Sequence, residues 1–235
     1  FFSYTNGFHD AANAIATSVS TRAWTPRAAL LMAATMNVIG AMMGTAVAKT
    51  VGKGIISISD YAESPLPEMQ QKGLVIILAA LLGACIWNLI TWWFGLPSSS
   101  SHALIGGMVG AGLMSGTVVY WWGIMSHVVI PMFASPIIGF VIGYIAMKIV
   151  LSLLRKAQYH RTMRRFRAAQ RFSSAAMALG HGIQDAQKTM GIIVMALLAG
   201  GYGETHNILD PITGEMNVPL WVKISGALAI SLGTM

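Results

Sequence analysis

Two short stretches place carboxylates among apolar residues. The first reads Asn6-Gly7-Phe8-His9-Asp10-Ala11-Ala12-Asn13, and the second Gly180-His181-Gly182-Ile183-Gln184-Asp185-Ala186-Gln187-Lys188-Thr189. An ionised carboxylate at the centre of a bilayer costs about 2.5 kcal/mol or more by insertion scales, so it needs both a partner and a reason to be there. No other acid occurs between Glu68 and Asp185, so acids are not scattered through this region. Asp10 and Asp185 are therefore expected to ligate a cation or a proton; the plainer alternative is a carboxylate that caps a helix near water. His9 and His181 adjoin the two acids as hydrogen-bond partners or metal ligands. Lys188 either contacts an anion directly or neutralises Asp185.

A third stretch, Gly95-Leu96-Pro97-Ser98-Ser99-Ser100-Ser101-His102, sets four hydroxyls at the start of an apolar segment. Helix N-termini carry unpaired N–H groups and the positive end of the dipole, and hydroxyls add further donors, which together suit an oxyanion. A simple cap needs one serine rather than four. His102 either carries a proton or orients the loop. A hydrolytic Ser101–His102 pair is disfavoured, because adjacent residues rarely place a base on the hydroxyl.

The elements that must hold these residues are membrane helices. The chain has 235 residues, 55% of them hydrophobic and only 10% charged, with a mean hydropathy of +0.63; several apolar runs approach the roughly 20 residues that cross a bilayer. The net charge of +7 does not indicate a nucleic-acid binder, since seven of the fifteen Lys and Arg residues lie within residues 155–171, a run that reads as a cytoplasmic loop. The single cysteine, Cys85, excludes a disulfide framework, and the sixteen methionines show no metal-ligand spacing. Both ends look cut, because no basic leader precedes the first apolar run and the last one stops at Met235.

Seven apolar segments are expected, at about 1–20, 28–48, 73–94, 102–120, 123–154, 172–202 and 219–235. Arg22, Arg27 and the 155–171 run fall inside, while the connections with Asp60, Glu63 and Glu68 and with Glu204, Asp210 and Glu215 fall outside. Segments one and six share the pattern G-x-x-D-A and run in opposite directions, which predicts an inverted repeat with broken helices meeting at the midplane. The expected fold is an all-α polytopic membrane protein of the secondary-transporter kind. Its expected parts are a first repeat at 1–154, a basic cytoplasmic linker at 155–171 and the start of a second repeat at 172–235. The pairs Gly40/Gly44, Gly106/Gly110, Gly112/Gly116 and Gly139/Gly143 have helix-packing spacing.

The stretch Asn6 to Asn13, the stretch Pro97 to His102 and residues 180–191, in that order, resemble the inorganic phosphate transporter (PiT) family, with His9 similar to its proton-coupled bacterial branch. Ile183-Gln184 departs from the Ala-Asn usual in the family's second motif, and a second Ser/Thr-His stretch would fall beyond Met235. The resemblance implies a bacterial inner-membrane protein, not an enzyme, in which phosphate is surrounded by Ser99, Ser100, Ser101, Asn13, Gln187, Lys188 and Thr189. Asp10, Asp185 and His102 would carry the coupling ion. It implies inorganic phosphate, a coupling cation and the lipid bilayer as partners, with no resident cofactor and homo-oligomerisation left open. Each negative charge imported against a membrane potential costs about 2.3 kcal/mol per 100 mV, so phosphate needs a co-moving cation or must travel as a neutral metal complex. Protons rank ahead of Na⁺. The alternative is a passive anion channel or a permease for a related oxyanion such as sulfate, although an anion pore gains nothing from paired acids.

Overall fold

The computed structural model describes residues 1–48, 55–57, 61, 66–203, 208 and 217–235. Asp60, Glu63, Glu204, Asp210 and Glu215, on which part of the charge-based topology rests, lie outside the described residues.

The described chain is helical, with one isolated antiparallel bridge between Ile56 and Val119. Its helices are α1 (Phe2–Ser20), α2 (Pro26–Met42), α3 (Pro67–Trp93), α4 (Ser100–Ser115), α5 (Trp121–Leu154), α6 (Tyr159–His181), α7 (Gln187–Ala199) and α8 (Leu220–Thr234). Helix starts follow local chemistry. Pro26 stands in the first turn of α2, where its missing N–H costs nothing, and the Thr25 side chain accepts from Ala28 N–H. Gly116 ends α4 in the left-handed conformation at φ 74°. Two helices, α3 and α5, have the length and hydropathy to cross a bilayer, and α8 is a shorter apolar helix.

The basic run is not a loop. Only Arg155, Lys156, Ala157 and Gln158 separate α5 from α6, and Arg161 to Arg171 lie on the first turns of α6. Arginine is a good helix former, so a hydrophilic stretch can extend a span without showing in hydropathy. From residue 159 to 199 the chain runs as one continuous helical rod through a π-helical turn, Gly182–Ala186. At 1.5 Å per residue that rod is about 60 Å long, twice the hydrocarbon thickness, so its basic end must project into an aqueous or headgroup layer. With Cys85, which is buried, replaced by Ser, a cysteine introduced at Arg161 is expected to react with a membrane-impermeant maleimide from the cytoplasmic side only. Labelling from the outside would reverse the topology.

Packing relies on small residues, as it must where lipid removes the hydrophobic drive between helices. Helix α1 lies on α8, α2 on both α8 and α6, and α3 forms a tight pair with α4. At the α1–α8 crossing, a methyl group added at Gly7 would meet Gly233 Cα at 3.0 Å. At the α2–α6 crossing, one added at Gly182 would stand 2.6 Å from Asn37 Cα. Of the glycine pairs singled out by spacing, Gly40 makes such an approach to the Leu179 carbonyl. Gly106, Gly110, Gly139 and Gly143 face open space instead, and α5 buries none of its residues.

Candidate functional site

The two acidic motifs meet. Asp10 lies midway along α1, on the stripe that buries Asn6, Gly7, Ala11 and Ala14. Asp185 lies in the π-helical turn, a feature that recurs at functional sites because it re-aims the side chains around it. Gly182 opens that turn, and its lack of a side chain lets the α6 backbone close on Asn37 of α2. One ligand atom each from Asp10, His181 and Asp185 fall within 4.8 Å of one another. Such a cluster of two carboxylates and an imidazole has the chemistry to hold a cation or to share a proton.

Helix α4 supplies the third wall. Ser99 is its N-cap and accepts from the His102 N–H at 3.4 Å. Ser100 is buried, and its hydroxyl reaches Asn6 Oδ1 at 2.8 Å and Asp10 Oδ2 at 3.0 Å. Ser101 accepts from the Lys188 ammonium, which also donates to Asp185 Oδ1. The His181 ring stands between Asp185 and Asn37: Nδ1 bonds to Asn37 Oδ1 at 3.1 Å, and Nε2 lies 2.9 Å from Asp185 Oδ2 without hydrogen-bond geometry. Asn37 in turn donates to Thr234 Oγ1 at 2.8 Å, which ties the acid to α2 and α8. Asn13 donates to Asp10 Oδ1 at 3.3 Å, and His9 Nδ1 stands 3.6 Å from the same oxygen.

Not every residue expected at the site arrives there. His102 does not join the acids: it is exposed, and with Ser98 and Ser99 it lines an open recess of about 520 Å³ bounded by Trp87 and Gly83. Helix phase explains the split. Ser100, Leu104, Met108 and Gly112 form the buried stripe of α4, and two residues further round the helix, at about 200°, His102 points the opposite way. Gln187 is buried, but its Oε1 accepts the Val47 N–H at 2.9 Å, which anchors the chain after α2. Thr189 Oγ1 is buried without a partner among the described residues.

Sequence reading did not single out Asn37 or Asn88, and it left Asn6 without a role. All three amides are at most 2% exposed. The Nδ2 of Asn6 and both polar side-chain atoms of Asn88 have no partner among the described residues. A buried amide donor left open beside Ser100 and Asp10 has the chemistry to bind a ligand oxygen or a water. The available signal was an isolated Asn inside an apolar run, at Asn37 and Asn88.

Comparison with known proteins identifies the relatives of the chain. A probable low-affinity inorganic phosphate transporter of Streptomyces halstedii is 56% identical over 183 residues, covering 78% of this chain and 82% of the relative. Another, of Bacillus subtilis, is 43% identical over 234 residues, covering 99% of this chain but only 65% of the relative's length. Among solved structures, the sodium-dependent phosphate transporter superposes with a TM-score of 0.78 at 24% identity, covering 99% of this chain and 72% of that one, a likeness of fold. Curated relatives are named as transporters, not enzymes. The model of the phosphate transporter family matches residues 6–235, and the chain belongs to that family.

Proposed function

We propose that the protein of which this chain is part imports inorganic phosphate by symport with a cation, H⁺ ahead of Na⁺, and that α1, α4 and the α6–α7 rod enclose the site. The observation that carries this reading is the Ser100 hydroxyl, which joins the start of α4 to Asn6 and Asp10. Phosphate at that helix start would find the open N–H groups of the first turn, the hydroxyls of Ser100 and Ser101, and the free amide of Asn6. Thr189 Oγ1 offers a further open donor from α7. The convergence of Asp10 and Asp185 supports an inverted repeat with its motifs paired at the midplane. Asp10 and Asp185 would otherwise repel the anion, and a bound cation or proton removes that repulsion. The same cation provides the driving force, since phosphate alone is expelled by the membrane potential.

Radiolabelled phosphate uptake by the full-length parent protein in proteoliposomes tests the proposal, with a proton gradient and a Na⁺ gradient imposed separately. Proton-driven uptake is expected. Na⁺-driven uptake would keep phosphate and replace the coupling ion, and sulfate uptake in place of phosphate would replace the substrate. No uptake under either gradient would defeat the transport reading.

A further inference from the structure

We propose that Lys188 is a tethered cation which holds the charge place of Asp185, leaving Asp10 as the carboxylate that takes the mobile coupling cation. The inference rests on the symport reading above. Aligned on their acids, the motif copies read Asp10-Ala11-Ala12-Asn13 and Asp185-Ala186-Gln187-Lys188, so they differ in kind at the third residue after the acid. One turn of helix brings that residue back over the carboxylate. In the first copy the Asn13 amide reaches Asp10 Oδ1 at 3.3 Å, a neutral contact. In the second copy the Lys188 ammonium sits on the equivalent oxygen of Asp185, and His181 Nε2 lies 2.9 Å from the other.

Lys188 is held from a third side by Ser101 of α4, so its position is fixed by two elements and not only by its own helix. An ammonium with two of its three donors engaged is a fixed counter-charge. A mobile cation arriving at Asp185 would find Oδ1 taken by the ammonium and Oδ2 covered by the His181 ring, and would meet that positive charge. Asp10 differs in the charge of its partners rather than in their number: its Oδ1 accepts from the neutral Asn13 amide. Its Oδ2 accepts from the neutral Ser100 hydroxyl, and among the described residues its ion-pair contact is the His9 ring at 3.6 Å, with a ring nitrogen of His181 within 4.8 Å of a carboxylate oxygen. The pseudo-symmetric pair is therefore functionally unequal: one acid exchanges its cation with solution, and the other keeps a resident one.

The test replaces Lys188 with Asn, giving the second copy the chemistry of the first, in the full-length parent protein. In proteoliposomes, the accumulation of phosphate is followed against a clamped membrane potential, whose slope gives the net charge moved per phosphate. Lys188→Asn is expected to move one more positive charge per phosphate than the native protein, and an unchanged slope overturns the proposal. The converse variant, Asn13→Lys, is expected to move one fewer, and the same slope as native overturns it too. A binding readout keeps the outcome separate from the transport reading: Na⁺ in place of choline is expected to raise the unfolding temperature of Lys188→Asn more than that of the native protein, in which Asp10 alone is open to it. If the native protein takes up no phosphate, the symport reading fails, and equal response of both proteins to Na⁺ then overturns the Lys188 assignment independently.

Discussion

The Asp10→Asn protein is expected to exchange phosphate across a membrane but to lose its ability to accumulate it against a potential. Asparagine has nearly the shape of aspartate, and its carbonyl oxygen can still accept from Ser100, so the contacts that join α1 to α4 survive. What disappears is the charge that takes the coupling cation. One fewer cation per cycle forfeits about 2.3 kcal/mol for each 100 mV of potential, which at 1.4 kcal/mol per decade is about 50-fold in the accumulation ratio. Counterflow, in which labelled phosphate exchanges for unlabelled phosphate without net charge movement, should fall far less. Near-normal accumulation by Asp10→Asn would remove this residue from the coupling mechanism.

The second large effect is structural. Gly182→Leu is expected to abolish the native arrangement of α2 against the π-helical turn, because even the first carbon of a side chain would lie 2.6 Å from Asn37 Cα and 2.9 Å from Asn37 C. The obstructing atoms are backbone, which cannot rotate aside, so the helices must separate and the Asn37–His181–Asp185 chain must break with them. Overpacking at a site that can yield costs about 1–3 kcal/mol, and this site falls at or beyond the upper end. Gly110→Leu provides the comparison, since nothing stands within 4 Å of its added carbon. Unfolding in detergent, followed by loss of monodisperse protein with temperature, should show a large loss for Gly182→Leu and little change for Gly110→Leu.

Much of this arrangement was legible in the sequence, for identifiable reasons. The seven apolar segments appear as helices because a bilayer demands long apolar runs with internally satisfied backbones. Asp10 and Asp185 stood out because acids are otherwise missing from this part of the chain. The beginning of α6 was hidden by its arginines, which signal solvent without signalling an end to the helix. At Pro97 to His102 composition suggests an anion site, but only the position of the N-cap decides which hydroxyl faces inward. With Ser99 as cap, Ser100 turns to Asp10 and His102 turns away. Asn37 could not be recognised as a partner of His181, because their pairing depends on the close α2–α6 crossing rather than on any local pattern.

The proposed phosphate site lies where α1, α4 and the π-helical turn converge. Cryo-electron microscopy of the full-length protein in lipid nanodiscs, with and without phosphate, tests it most directly. Phosphate density is expected at the start of α4, within hydrogen-bonding distance of the Ser100 hydroxyl and the Asn6 amide. Density found instead in the recess beside His102 and Trp87, or on the arginines of α6, with the Ser100 position empty, would contradict it.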